Sequence, residues 1–153
     1  MPLFSRILLC FDGSRDGRRA LRYGAELARM LGAEAHLLAV LGPAYWLQGF
    51  DALAGEAPIV EEQAARRILR EGVQQLKACG IDTIGHFAIG DPIDQIAHFA
   101  GALHVDLIVV GHSRCGMLKR WWAGKGKGLL LDKVACCVLV AIDEGGKNGG
   151  GDD

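Results

Sequence analysis

The chain has 153 residues, half of them apolar and 23% charged, with a formal net charge of −1. That length supports one domain with a real core, and the composition is ordinary for a soluble globular protein. The near-neutral balance argues against a general nucleic-acid binder, and no apolar run reaches the roughly 18 residues that span a bilayer.

Arg6 to Phe11, RILLCF, reads as a buried strand running into Asp12-Gly13-Ser14. Ser14 suits an N-cap and Asp16 the first helical turn. Ala20, Gly24, Leu27, Ala28 and Leu31 then recur at helical spacing, and Gly32 suits the position just past the helix end. Ala35 to Leu41 is the second strand. Gly42 to Pro58 is a long connection carrying Tyr45, Trp46 and Phe50, aromatics that suit packing of the loop on the sheet edge better than a ligand lid.

Ile59 to Cys79 reads as a second helix, with Ala65, Ile68, Leu69, Leu76 and Cys79 on its apolar face and Gly80 as its stop. Thr83 to Ile89 alternates poorly and is expected at a sheet edge. Asp91-Pro92 starts a third helix, Asp91 as N-cap and Pro92 at its first position, with Ile93, Ile96, Ala97, Ala100 and Leu103 facing the core.

The organising stretch is Val105 to Gly128. Its apolar run to Val110 predicts a strand buried on both faces, ended by Gly111. A loop rich in glycine and basic residues follows, then an apolar segment, Leu129 to Ala135. Strand, glycine loop and helix is a layout that presents N–H groups to phosphate. Cys136 to Ile142 makes the fifth strand. Residues 1–143 are therefore expected to form one domain and residues 144–153, DEGGKNGGGDD less its first residue, a disordered tail.

Strands alternating with helices predict a doubly wound α/β domain, a five-stranded parallel sheet with helices on both faces and the first strand central. Ligands in such sheets bind beyond the carboxyl ends of the strands. Asp12, Val40, Gly90 and Gly111 lie near those ends. The segment Cys137 to Ile142 suits an exposed edge, which recruits another strand.

Met1 to Leu9 lacks a secretory apolar region and cleavage site, and the five cysteines include no CxxC, so the protein is read as reduced and cytoplasmic. Cys10, Cys136 and Cys137 fall in predicted strands as small apolar side chains. The neighbouring Cys136 and Cys137 do not have the spacing of a structural zinc site.

Across Ser5 to Ile142 the chain resembles the universal stress protein family. The resemblance rests on ILLCFDGS at the first strand end, LLAV, GDPIDQI before the third helix, and DLIVVGH with CVLVAI. It implies the sheet order 3-2-1-4-5. It also implies a homodimer through the edge strand Cys137 to Ile142, where the family's usual residue at position 137 is proline. One branch of the family binds ATP or AMP through G-x2-G-x9-G-[ST]; another does not bind nucleotide. Here Gly111 and Gly124 match that pattern, while Arg114 replaces its second glycine and Lys125 its hydroxyl residue. The resemblance further implies that Asp12 and Val40 line the nucleotide pocket.

Arg114 adds a side chain where backbone approaches phosphate, yet Arg114, Lys125 and Lys127 also add cations suited to phosphate, beside the flexible Gly126. The expected ligand set is Asp12, Val40, Gly111, Arg114, Gly124, Lys125, Gly126 and Lys127, for ATP or AMP, with Mg²⁺ accompanying ATP. The alternative is a dimer that binds no nucleotide and acts through protein contacts.

Other chemistry finds less support. GKGKG lacks the glycine spacing and Ser/Thr of a Walker A loop. The five histidines form no i, i+4 pair, Ser14 and Ser113 lack a GxSxG setting, and Asp94, Asp106 and Asp132 suit capping, strand-start and helix-surface roles. His98 reads as a helix-surface residue, and His112, just past a buried strand, is the one histidine to watch for a ligand contact, with the reading that it makes none favoured. Lys119-Arg120-Trp121-Trp122 is too short for a membrane or nucleic-acid face. No enzyme is expected beyond weak incidental ATP hydrolysis, since no base or nucleophile stands out.

Overall fold

The computed structural model describes residues 3–11, 15–41, 58–113 and 130–143; the side chains of 15–17, 58–61, 111–113 and 142–143 are outside that description. Asp12, Arg114, Gly124, Lys125, Gly126, Lys127, the Trp121-Trp122 pair, most of the 42–58 connection and the expected tail all lie outside the described residues.

Five strands, β1 (Arg6–Cys10), β2 (Glu34–Leu41), β3 (Thr83–Ile89), β4 (Leu107–Ser113) and β5 (Cys137–Asp143), form one sheet in the order β3-β2-β1-β4-β5, and every pairing is parallel. The crossovers carry α1 (Arg15–Leu31), α2 (Pro58–Ala78), α3 (Pro92–Ala102) and the short α4 (Leu130–Lys133).

The even strand spacing sorts the core into two layers. Ile7, Leu9 and Phe11, with Leu37, Leu107 and Val109, pack under Leu21, Ala25 and Ala28 of α1 and Leu76 of α2. Leu8, Cys10, Leu38, Val40, Ile108 and Val110 pack under Ile96 and Ala100 of α3 and Leu130 of α4. Helices therefore cover both faces, and β1 is buried at the centre. The predicted stops hold: Gly32 and Gly80 end α1 and α2 at φ +62° and +82°, a region open to glycine.

Several expectations are corrected. Gly111 does not end β4, which starts at Leu107 and runs on to Ser113. Pairing of Gly111 with Ala141 and Ser113 with Asp143 along β5 carries it there, so the partner strand overrides glycine's weak strand propensity. Val105 is buried but belongs to the turn after α3, its N–H bonded to Ala100 O. Cys79 is exposed, because α2 ends at Ala78 and the chain turns away at Gly80. Cys137 is also exposed, at the start of an edge strand, whereas Cys10 is buried and Cys136 half-buried. The apolar segment expected at Leu129 to Ala135 contributes only the single turn of α4 to the described residues.

Candidate functional site

In the order β3-β2-β1-β4-β5 the chain leaves β1 first towards β2 and later returns to its other side at β4. The crevice at such a reversal is where open parallel sheets take ligands. Strand length shapes that crevice. The β1–β2 ladder ends with Cys10 opposite Leu38, and on the other side Leu9 stands opposite Val109. Beyond this level β2 continues through Ala39 and Val40 to Leu41, paired with β3, and β4 continues through Gly111 and His112 to Ser113, paired with β5. Phe11 stands level with Ala39 and Gly111, so among the described residues the two neighbours overhang it by two residues each, which at about 3.3 Å per residue makes a notch about 7 Å deep and about two strand spacings, or ~10 Å, wide.

Phe11 closes the base of the notch. It is 1% exposed, and its N–H donates to Leu38 O at 3.0 Å. Behind it α2 approaches closely at Gly72, where a Cβ would stand 2.6 Å from Leu37 Cδ2 and 2.8 Å from Phe11 Cδ1. Only glycine lets the helix sit there without displacing Phe11.

Val40 forms one wall. Its side chain is fully buried among Cys10, Ala88, Ile96 and Val110, so the backbone is what it offers to a ligand. In a parallel strand, successive residues aim N–H and C=O to alternate sides. Leu38 O faces β1 and accepts from Phe11; Leu41 O faces β3 and accepts from the Gly90 N–H at 2.9 Å. Val40 therefore aims both its N–H and its C=O towards the β1 side, above the last ladder bond, where neither has a partner among the described residues. A donor and an acceptor held side by side on a rigid strand suit a planar ligand edge that presents the complementary pair.

Gly90 and Asp91 complete the rim at β3. Gly90 takes φ +143°, close to the Gln95 amide, a conformation that needs glycine. Asp91 then caps α3, its Oδ1 accepting from the Asp94 N–H at 3.1 Å, and Pro92 opens the helix as predicted. Asp94 pairs with Lys133, which ties α3 to α4 and raises the lysine's pKa, chiefly through that hydrogen bond. Leu130 is buried in the α3-side core.

Of the expected site residues, the structure brings Val40 and Gly111 to opposite walls of one notch, on β2 and β4. Asp106 is at the other end of the sheet. There its Oδ2 accepts from Ser5 N–H, Ser5 Oγ–H and Arg6 N–H at 2.8, 2.8 and 3.1 Å. These bonds, the Ser5 hydroxyl first, hold its carboxyl below the usual carboxylate range. It is a strand-start residue, as read from sequence, and His98 is exposed. No cluster of three His, Cys, Asp or Glu side chains suited to a metal occurs among the described residues, nor is any described helix long and apolar enough to cross a membrane.

Sequence reasoning missed two features. The Val40 backbone pair depends on where the β1 ladder stops, which no motif encodes. The second is a contact between His36 of β2 and His86 of β3, whose Nδ1 and Nε2 stand 2.9 Å apart. Fifty residues separate them, and only the strand register brings them together.

No curated protein sequence matches the chain. Among solved structures it is similar to a universal stress protein in complex with cAMP, at 19% identity over 91% of this chain and 97% of that one, with a TM-score of 0.66. The Archaeoglobus fulgidus universal stress protein in complex with dAMP gives 20% identity over 92% and 98%, TM-score 0.62. An Arabidopsis thaliana universal stress protein family protein with AMP bound gives 16% identity over 92% and 93%, TM-score 0.64. At these identities the likeness establishes the fold. The Universal stress protein family itself matches residues 3–141, nearly the whole chain, and the chain belongs to that family.

Proposed function

We propose that the chain is a regulatory module that takes adenine nucleotide, ATP or AMP, in the notch above β1. The observation that carries this reading is the paired N–H and C=O of Val40, aimed into a notch of nucleobase size. Adenine presents an adjacent acceptor and donor on its Watson–Crick edge, the complement of that pair. The ligands of the solved relatives, cAMP, dAMP and AMP, share that base.

In this reading Asp12 holds the ribose. Gly111, Arg114 and Gly124 to Lys127 receive the phosphates, Arg114 and the two lysines by charge-assisted hydrogen bonds. Mg²⁺ accompanies ATP when ATP is the ligand. In this reading the protein acts as a binding module with at most weak incidental ATP hydrolysis.

The module works as a homodimer through Cys137 to Ile142. Strand β5 is a sheet edge with Leu139 37% exposed. Beside it an open apolar groove of about 410 Å³ runs between Tyr23, Leu27 and Met30 of α1 and Leu139 to Ala141 of β5. An exposed edge flanked by apolar surface favours antiparallel pairing with a second copy.

A second reading, a dimer that binds no nucleotide and acts through protein contacts, draws on Arg114 and Lys125. They occupy two of the four positions of the family's nucleotide pattern, and their side chains need the space of the phosphates. Native mass spectrometry of the gently purified protein separates the two. The first reading expects the mass of AMP or ATP on each protomer, as purified or after incubation with millimolar nucleotide. Bare protein under both conditions overturns it in favour of the second.

A further inference from the structure

Glu34 and His36 are two residues apart on β2 and share a face of the sheet. His36 is 4% exposed, and its Nε2 stands 2.6 Å from Glu34 Oε1. Its other ring nitrogen, Nδ1, meets His86 Nε2 at 2.9 Å. The imidazoles lie nearly parallel, centroids 5.1 Å apart and planes 29° off. Phe99 of α3 covers the His86 ring at 5.4 Å. Carboxylate, buried imidazole, second imidazole and aromatic lid thus join β2, β3 and α3 at one point.

The hydrogen bonds fix how many protons this point accepts. With both rings neutral, His36 Nε2–H donates to Glu34, and His86 Nε2–H donates to His36 Nδ1. With one added proton, taken up at His86 Nδ1 while the proton of the contact shifts from His86 Nε2 to His36 Nδ1, both His36 nitrogens donate, to Glu34 and to His86 Nε2. Either arrangement keeps the 2.9 Å contact. A second added proton sets N–H against N–H, with two like charges in contact, and breaks it.

We propose that Glu34, His36 and His86 form a shared-proton latch that holds edge strand β3 and helix α3 against β2 at neutral pH and releases them in acid. Burial first, and the neighbouring His36 second, lower the His86 pKa from its ordinary 6.5. The ionisable groups around it support the geometry. From β2 it faces His36, whose far ring nitrogen is held by Glu34; from α3 it faces the uncharged Phe99, with the exposed His98 edge-on beyond that ring at 5.5 Å. On α2, Arg66 is engaged over the Phe87 ring at 4.3 Å. The sign follows from linkage. A released His86 takes up a proton more readily than the latched one, so the opened state binds more protons below about pH 6.5, and stability falls as pH falls. One proton changes the opening constant by at most about tenfold per pH unit.

The test is hydrogen exchange of the full-length protein between pH 7.5 and 5, corrected for intrinsic exchange, in wild type and His86→Gln. The latch predicts that protection of Thr83 to Ile89 falls towards that tenfold-per-unit slope in wild type and stays flat in the variant. Equal slopes in the two proteins overturn it. Should His86→Gln fail to fold, imidazole ¹⁵N titration of wild type decides. One shared protonation step on the two rings, followed at lower pH by loss of β3 protection, supports the latch. Independent protonation of the two rings, with β3 protection unchanged down to pH 5, refutes it.

Discussion

The claim that Val40 reads the base through its backbone leads to an unusual substitution, Val40→Pro. Proline lacks the N–H and keeps the preceding residue extended, which Ala39 already is in β2. Because the Val40 N–H points above the last β1 ladder bond, its removal takes no ladder hydrogen bond from the described sheet. The lost contact is one neutral hydrogen bond to adenine, about 0.5 to 1.5 kcal/mol, or roughly 2- to 13-fold in affinity. Folding also suffers, by about 1 to 3 kcal/mol, from the shift of φ and the change in a fully buried side chain.

Leu41→Pro is the control. Its N–H lies on the β3 side, within the ladder that pairs Leu41 with Ile89, so that proline strips a sheet hydrogen bond and costs more stability than Val40→Pro. Calorimetric titration with AMP, alongside urea unfolding, separates the two effects. Unchanged AMP affinity in folded Val40→Pro refutes the backbone reading of the base. Equal stability loss in the two variants refutes the assignment of strand sides.

Two further outcomes are expected. Leu139→Arg places a charge on the exposed face of β5 and is expected to leave a folded monomer, seen as a halved mass by light scattering at tens of micromolar; an unchanged dimer refutes pairing through this strand. Asp106→Asn weakens the three hydrogen bonds that tie Ser5 and Arg6 to β4. Since its pKa is lowered in the fold, the stability it contributes is present above the unfolded value of about 3.8 and is lost as pH falls through the lower folded one. The variant should therefore show a flatter decline below pH 4 in urea titrations, and an identical decline speaks against the assignment.

The order of elements was legible because burial writes itself into composition. Strands buried on both faces, such as Arg6 to Cys10 and Glu34 to Leu41, read as apolar runs, and β3, with Ile84 and Ile89 exposed, read as an edge. Caps and stops at Asp91, Gly32 and Gly80 were legible from local backbone chemistry. Features that depend on register were not. Gly111 looked like a terminus because glycine weakens strands, yet pairing with β5 continues past it. The position of Val40 near a strand end is legible from the strand pattern, and its place in a pocket from family resemblance, but the backbone N–H and C=O it leaves unpaired among the described residues follow only from β1 stopping short of its neighbours. The His36–His86 contact has no signal at all along the chain.

Calorimetric titration of the wild-type protein with AMP, and with ATP and Mg²⁺, up to millimolar concentration tests the central claim most directly. The account predicts saturable binding of one nucleotide per protomer, weakened about tenfold or more by Lys125→Ala, as expected for loss of one charge-assisted contact. No binding by the wild type, with binding gained on combining Arg114→Gly and Lys125→Ser, would contradict it and mark the pocket as one filled by its own side chains.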